Sequence, residues 1–287
     1  MSHISRLFMS YEPTYWRGMV CTLGSLARHA QVPINVEVMM RGEHVHAFYR
    51  ILKKVPADIF DITSVTPLVM SEAALRECEA LRYDAHFKPE ICFRLYYFEM
   101  SRLVGNAVYL DIDTIVRTSL DELSCFIPQN LPIAARAHEI INPSILKIDS
   151  GLRSYFNSGV LLFNLDKMEC EIAERLRSSR VIMRNISGAS GYLDQDALNL
   201  AFKDRWQVLP ARFNYMSTDR LPLDRRTGHI LHATGSRKPW MLGGRHRFSS
   251  EYAEEMAGVG QSVLHRFEAQ WIVDRTTRRI ANFFGNT

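Results

Sequence analysis

An α/β fold, with a mostly parallel mixed central sheet flanked by helices, is what this 287-residue chain predicts. Two observations carry the expectation. Short apolar runs of strand character alternate with helical patterns, the order that builds parallel sheets covered on both faces. One of those runs, VYLDIDTIV (108–116), holds two aspartates, Asp111 and Asp113, where its apolar part finishes. In such sheets ligands bind beyond the carboxyl ends of the strands, so the two acids face a crevice rather than the core.

The first strand is RLFMS (6–10), and the helical pattern YWRGMVCTLGSLARHA (15–30) follows it. INVEVMM (34–40) is the second strand. CFRLYYFEMSRL (92–103) reads as a helix leading into the third strand, NAVYLDID (106–113). PIAARA (132–137) and GVLLFNL (159–165) are the next two strands, DQDALNLAFKD (194–204) is a helix, and HILHAT (229–234) is the last strand. No repeat, low-complexity block or linker interrupts residues 1–250, which read as one domain. Residues 251–287 read as an amphipathic helical tail. In it Met256, Val259, Val263, Phe267 and Trp271 recur at helical spacing, and Arg275, Arg278 and Arg279 follow.

Composition narrows the function. Apolar residues make up 47% and charged residues 23%, enough for a sizeable core. The net charge of +4 leans toward acidic small molecules or an anionic surface, but it is no nucleic-acid signature. The five cysteines are scattered and never form CxxC, which argues against a disulfide framework or a zinc knuckle and suits a reducing compartment. No apolar run approaches the roughly 18 residues of a membrane span. The first residues, MSHISRLFMSYEP, lack the pattern of a signal peptide. A cytoplasmic protein is the expectation.

In an extended segment, residues i and i+2 project to the same side, so Asp111 and Asp113 present their carboxylates together with Ile112 turned inward. Two like charges that close raise each other's pKa unless a cation neutralises them, and a divalent metal is the obvious candidate. The plain alternative is that Asp113 caps a turn and Asp111 pairs with a surface arginine. Further polar residues stand at strand and helix ends. Asn157 and Ser158 precede the apolar run that Gly159 begins, and Asp194, Gln195 and Asp196 open a helix, where acids also suit the macrodipole. His232, Gly235 and Lys238 follow one another in ILHATGSRKPW (230–240).

Taken in order, the blocks RLFMSYEPTYWRGMVCTLGSL, ICFRLYY, VYLDIDTIV, FNSGVLLFNL, LDQDALNLAF and HATGSRKPW resemble glycosyltransferase family 8. That family includes glycogenin-like enzymes and bacterial lipopolysaccharide galactosyl- and glucosyltransferases. The resemblance implies a GT-A fold: one Rossmann-like domain that binds a nucleotide sugar, UDP-glucose or UDP-galactose, with Mn²⁺ or, second, Mg²⁺. It implies Asp111, Asp113 and His232 as metal ligands. Glu12, Tyr15, Arg94, Ile112, Gly235 and Lys238 are implied around the donor, with Lys238 reaching its phosphates. It also implies Gln195 at the reactive face of the sugar, and Asp194 and Asn157 on its hydroxyls. The family retains anomeric configuration. An amide such as Gln195 is a poor nucleophile, which favours front-face substitution.

The chain departs from the family at Glu12, where an aspartate is frequent, with Thr14 and Tyr15 following, so uracil preference is open. His138 in ARAHE stands where many relatives have an aspartate, which leaves the sugar open. The implied acceptor is a glycan or glycolipid such as lipopolysaccharide, shaped by residues 140–155, 184–192 and 241–249. The basic tail suits contact with an anionic membrane. A nucleotidyltransferase and an inactive nucleotide-sugar-binding scaffold are the alternatives.

Overall fold

The computed structural model describes residues 3–53, 64–81, 88–100, 104–138, 149–168, 170–185, 193–220, 222–241 and 246–257. Seven strands form the main sheet: β1 (Ile4–Ser10), β2 (Asn35–Met40), β3 (Ser64–Val69), β4 (Asn106–Leu110), β6 (Ile133–Ala137), β7 (Phe156–Asn164) and β8 (Trp206–Val208). Their order is β3-β2-β1-β4-β7-β6-β8. Neighbours are parallel except where β7 runs against β4 and β6. A smaller sheet has the order β5-β10-β9, from β5 (Thr114–Arg117), β9 (Tyr215–Met216) and β10 (His229–His232).

Strand side chains alternate between faces, and two cores result. Val108, Leu110, Val160 and Leu162 join the core beneath the helix Trp16–His29. Ala107, Tyr109, Leu161 and Phe163 join the other, beneath the 3-10 helix Pro89–Tyr96 and the helices Cys170–Asn185 and Leu193–Ala201. Apolar residues on both faces explain why these strands read as continuous hydrophobic runs.

The expected strand over 106–113 is corrected. β4 stops at Leu110, whose register partner is Val160. The chain then turns, with the Asp111 carbonyl accepting from Thr114 N–H at 3.2 Å and Thr114 Oγ1 at 2.9 Å. It re-enters extended structure as β5 of the second sheet. The crossing between sheets, rather than one straight strand, thus carries both acids. Ile112 is partly buried against the core, as expected.

Three further differences have physical causes. Residues 92–100 form the end of a 3-10 helix and the short helix Tyr97–Met100, not one α-helix. β7 begins at Phe156, so Asn157 and Ser158 lie inside the strand, with Asn157 opposite Arg136 of β6 at a register shift between Ala135 and Arg136. β3, β8 and β9 escape a pattern search: β3 is an edge strand holding Pro67, and the other two have three and two residues. The helix Ser249–Ala257 begins near the expected boundary at 250. It docks on the main body through Arg28–Glu255 and through Arg117–Glu254 at 2.5 Å. The rest of the expected tail lies outside the described residues. No helix among the described residues is long and apolar enough to cross a membrane.

Candidate functional site

Two register relations assemble the site. β7 runs antiparallel beside β4, so residues 157–159 lie just past the carboxyl end of β4, and the Asp111 N–H donates to the Gly159 carbonyl at 2.8 Å. β10 runs antiparallel to β5 with Thr114 opposite His232, and the Ala233 N–H donates to the Asp113 carbonyl at 3.0 Å. The turn therefore meets His232 from more than a hundred residues away. Two glycines make room. A Cβ at Gly18 would run into the Ile112 carbonyl and the Trp240 ring, and one at Gly159 would run into the His232 imidazole.

Each acid has one oxygen held by the protein and one turned toward a common point. Asp111 Oδ1 accepts from Tyr109 OH at 2.7 Å and lies 3.2 Å from Arg94 Nη1. Its Oδ2 lies 3.5 Å from His232 Nε2. Asp113 Oδ2 accepts from Lys238 Nζ, while its Oδ1 lies 3.4 Å from His232 Nε2, buried and without a hydrogen-bond partner. The three ligand atoms lie within 4.8 Å of one another, the one such grouping of His, Cys, Asp or Glu among the described residues. Two carboxylate oxygens and one imidazole nitrogen, one oxygen lacking any donor, fit a divalent cation of the Mn²⁺ or Mg²⁺ kind. Burial works to raise the Asp113 carboxyl, but the Lys238 ammonium beside it holds it below the ordinary carboxylate range. Against burial, Asp113 in turn raises the Lys238 pKa, so that side chain stays charged.

The expected alternative for Asp111, an arginine partner, is also present, but the arginine is buried. Arg94 lies over the Tyr109 ring at 4.7 Å and donates to the Ser158 carbonyl at 2.8 Å. It bridges Asp111 and Asp194. Asp194 is buried, which pushes its pKa up against the pull of Arg94. Gln195 is also buried, and its Oε1 accepts from Asn157 Nδ2 (3.1 Å), Ser158 N–H (3.1 Å) and Ser158 Oγ (3.3 Å). Its Nε2 donates to Tyr155 OH at 3.2 Å, and Tyr155 donates to Asp196.

On the other flank, Glu12 accepts from Thr14 N–H at 2.9 Å and so caps the 3-10 helix Pro13–Tyr15. Burial pushes the Glu12 carboxyl up, while Thr14 and Lys88 oppose this. The Tyr15 ring lies 5.8 Å from that of Trp240 and 6.0 Å from Lys238 Nζ. Gly235 is exposed with φ +87°, a left-handed conformation that lets the loop between His232 and Lys238 turn. His138 sits at the end of β6, its N–H donating to the Tyr155 carbonyl at 2.8 Å. The structure thus brings Asp111, Asp113, His232, Lys238 and Arg94 into one cluster, joined to Asn157, Asp194 and Gln195. Tyr15 borders it beside Lys238, and Glu12 is engaged in a local cap. The expected acceptor segments fall mostly outside the described residues.

Sequence reasoning missed Tyr109, Tyr155 and Asn214. Tyr109 and Tyr155 resemble ordinary core aromatics, and Asn214 sits in RFNYM, which carries no recognisable pattern.

Residues 6–242 match the family model of Glycosyl transferase family 8. A candidate glycosyltransferase of Haemophilus influenzae is 34% identical over 131 residues, covering 44% of this chain and 39% of that protein. A lipopolysaccharide 1,2-glucosyltransferase of Escherichia coli is 28% identical over 170 residues, covering 52% of this chain and 49% of that protein. The chain thus spans less than half the length of these two curated relatives. The crystal structure of the galactosyltransferase LgtC with donor and acceptor sugar analogues superposes with a TM-score of 0.71 at 21% identity, over 90% of this chain and 97% of that one. The fold is the GT-A fold that LgtC shares.

Proposed function

The chain belongs to glycosyl transferase family 8, and on that premise we propose that it moves glucose or galactose from a UDP-sugar to a glycan acceptor, with retention and a divalent cation. The observation that carries this reading is the convergence of Asp111 Oδ2, Asp113 Oδ1 and His232 Nε2 beside the buried Lys238 ammonium. Asp111, Asp113 and His232 would hold the cation, Mn²⁺ in the first place. A divalent ion there would neutralise the diphosphate and stabilise charge on the departing UDP. Lys238 adds a fixed positive charge for the same phosphates, and Tyr15 and Glu12 border the nucleoside.

Retention by double displacement needs a free carboxylate about 5 Å from the acid. In this site Asp194 is tied to Arg94, Asp196 is bonded to Tyr155, and Gln195 has its oxygen engaged by three donors. These engagements favour front-face substitution. The acceptor hydroxyl oxygen attacks the anomeric carbon on the side from which UDP leaves, and the bond to the phosphate oxygen breaks. The hydroxyl proton passes to that phosphate oxygen. Asp194 and Asn157 orient the donor hydroxyls.

The E. coli relative's name favours a lipopolysaccharide acceptor. Free thiols at Cys21, Cys78, Cys92 and Cys125 suit the reducing cytoplasm, and the basic tail would bring the enzyme to the anionic inner face of the membrane.

UDP release from UDP-glucose and UDP-galactose with and without Mn²⁺ tests the reading. We expect metal-dependent release that Asp111→Ala and His232→Ala abolish. Full turnover in EDTA would overturn the metal assignment. Pyrophosphate formed from UTP and a sugar phosphate would point to nucleotidyl transfer, and binding without turnover to a scaffold.

A further inference from the structure

Asn214 ends the 3-10 helix Ala211–Asn214 and leads into β9, which lies parallel beside β10. It is completely buried, and its side chain stands between His232 and Asn157. Asn214 Oδ1 lies 2.9 Å from His232 Nδ1, and Asn214 Nδ2 donates to Asn157 Oδ1 at 2.8 Å. Asn157 Oδ1 also accepts from the Gly159 N–H at 3.0 Å, and Asn157 Nδ2 donates to Gln195 Oε1.

A side-chain amide can be turned over unless its partners forbid it, and here they do. A backbone N–H can only donate. The Ser158 N–H therefore fixes Gln195 with its oxygen toward Asn157, and the Gly159 N–H fixes Asn157 with its oxygen toward Asn214. Asn214 must then turn its NH₂ to Asn157 and its oxygen to the imidazole. An oxygen that can only accept requires the His232 proton to sit on Nδ1. In the neutral ring Nε2 is then left with a lone pair, facing Asp111 and Asp113.

From this chain of donors we propose that Asn214 is a positioning residue. It fixes the ring and tautomer of His232 so that Nε2 is ready to bind a divalent cation before one arrives. The inference rests on the metal reading above, although its structural half does not need a metal. Metal-binding histidines generally donate their second ring N–H to an outer partner, and removing that partner typically weakens metal affinity about 10- to 100-fold. Here the partner belongs to an amide relay that ends on Gln195. The same three side chains therefore link the ring of His232 to the helix that opens with Asp194 and Gln195.

The test is ¹⁵N NMR of the His232 ring in the metal-free parent, Asn214→Leu and Asn214→Asp, together with Mn²⁺ titration of each. The parent should carry its proton on Nδ1. Asn214→Leu should lose the single tautomer and bind Mn²⁺ about tenfold more weakly or worse. Asn214→Asp, whose carboxylate also accepts, should keep the Nδ1 proton of the neutral ring, although its second oxygen faces Asn157 Oδ1 and gives up the relay bond. A parent whose neutral ring is protonated on Nε2 would overturn the proposal, as would parent-like behaviour of Asn214→Leu or an aspartate variant that loses the Nδ1 proton. A parent with the Nδ1 proton that binds no Mn²⁺ would keep the positioning role and overturn the metal reading instead.

Discussion

Gly159→Ala should weaken divalent-cation binding about 100-fold while leaving the fold in place. A Cβ at position 159 would stand 2.9 Å from His232 Nε2 and closer still to Nδ1 and Cε1. Comfortable non-bonded separations start at about 3.5 Å, so the ring must retreat by roughly 0.6 Å at Nε2 and by more at its other edge. Metal sites tolerate departures of only about 0.2 Å from ideal ligand distances. The imidazole cannot swing aside freely, because Nδ1 is held by Asn214 and the ring is buried. The overpacking itself should cost about 1–3 kcal/mol, a tolerable loss for a chain of this size. Thermal unfolding with Mn²⁺ reads the two effects separately. At a concentration 100 times its Kd, an ion binding the folded state stabilises it by about 2.7 kcal/mol. A 100-fold weaker Kd reduces that gain to about 0.4 kcal/mol at the same concentration. At about 2–4 °C per kcal/mol, the Mn²⁺-induced rise in Tm should shrink from about 5–11 °C to about 1–2 °C. A Gly159→Ala protein that Mn²⁺ stabilises as much as the parent would refute the reasoning.

Arg94→Met leaves Asp194 buried without its cation and should destabilise the protein by about 3–5 kcal/mol, read from urea midpoints. Arg94→Lys keeps the charge but loses the fork that joins Asp111 and Asp194, so donor affinity should fall more than stability. Gln195→Leu strips the acceptor from Ser158 N–H and Asn157 Nδ2, and an unsatisfied buried group costs about 1–3 kcal/mol. A Tm equal to that of the parent would show that these donors find other partners. Burial, with Arg117 and Arg225 nearby, holds the His229 pKa below its ordinary value. The unfolded chain then takes up this proton more readily than the folded one. The contribution of His229 is present above about pH 6.5 and lost as pH falls below it. The urea midpoint should drop from pH 7.5 to 5.5, and His229→Gln should lessen that drop.

Much of the site was legible because its residues stand at the ends of apolar runs. Asp111, Asp113, His232, Asn157, Asp194 and Gln195 all interrupt or border segments that otherwise read as core. The parallel half of the sheet was equally readable from alternation of strands and helices. What escaped was short or disguised: the edge strand with Pro67, the two- and three-residue strands, and the 3-10 character of the helical stretch that carries Arg94. Tyr109 and Asn214 escaped for another reason. A tyrosine in a core strand and a lone asparagine before a two-residue strand have no local signature: Tyr109 bonds Asp111 only because the strand ends between them, and the partners of Asn214 lie far along the chain.

The sequence by itself determined that two carboxylates sit where a buried strand finishes, and that a histidine and a lysine follow another strand. It could not decide how the acids meet the histidine. Periodicity suggested a straight strand presenting both to one side. Tertiary structure instead passes the chain from one sheet to another between Leu110 and Thr114, and the antiparallel register of β5 with β10 sets His232 against the turn. Which oxygen of each acid is free, and which nitrogen of the ring, follows from Tyr109 two residues before Asp111 and from Arg94, Lys238, Asn214 and Gly159 elsewhere in the chain. Local sequence encodes which groups are present and which strands form. Only long-range pairing fixes where their lone pairs point.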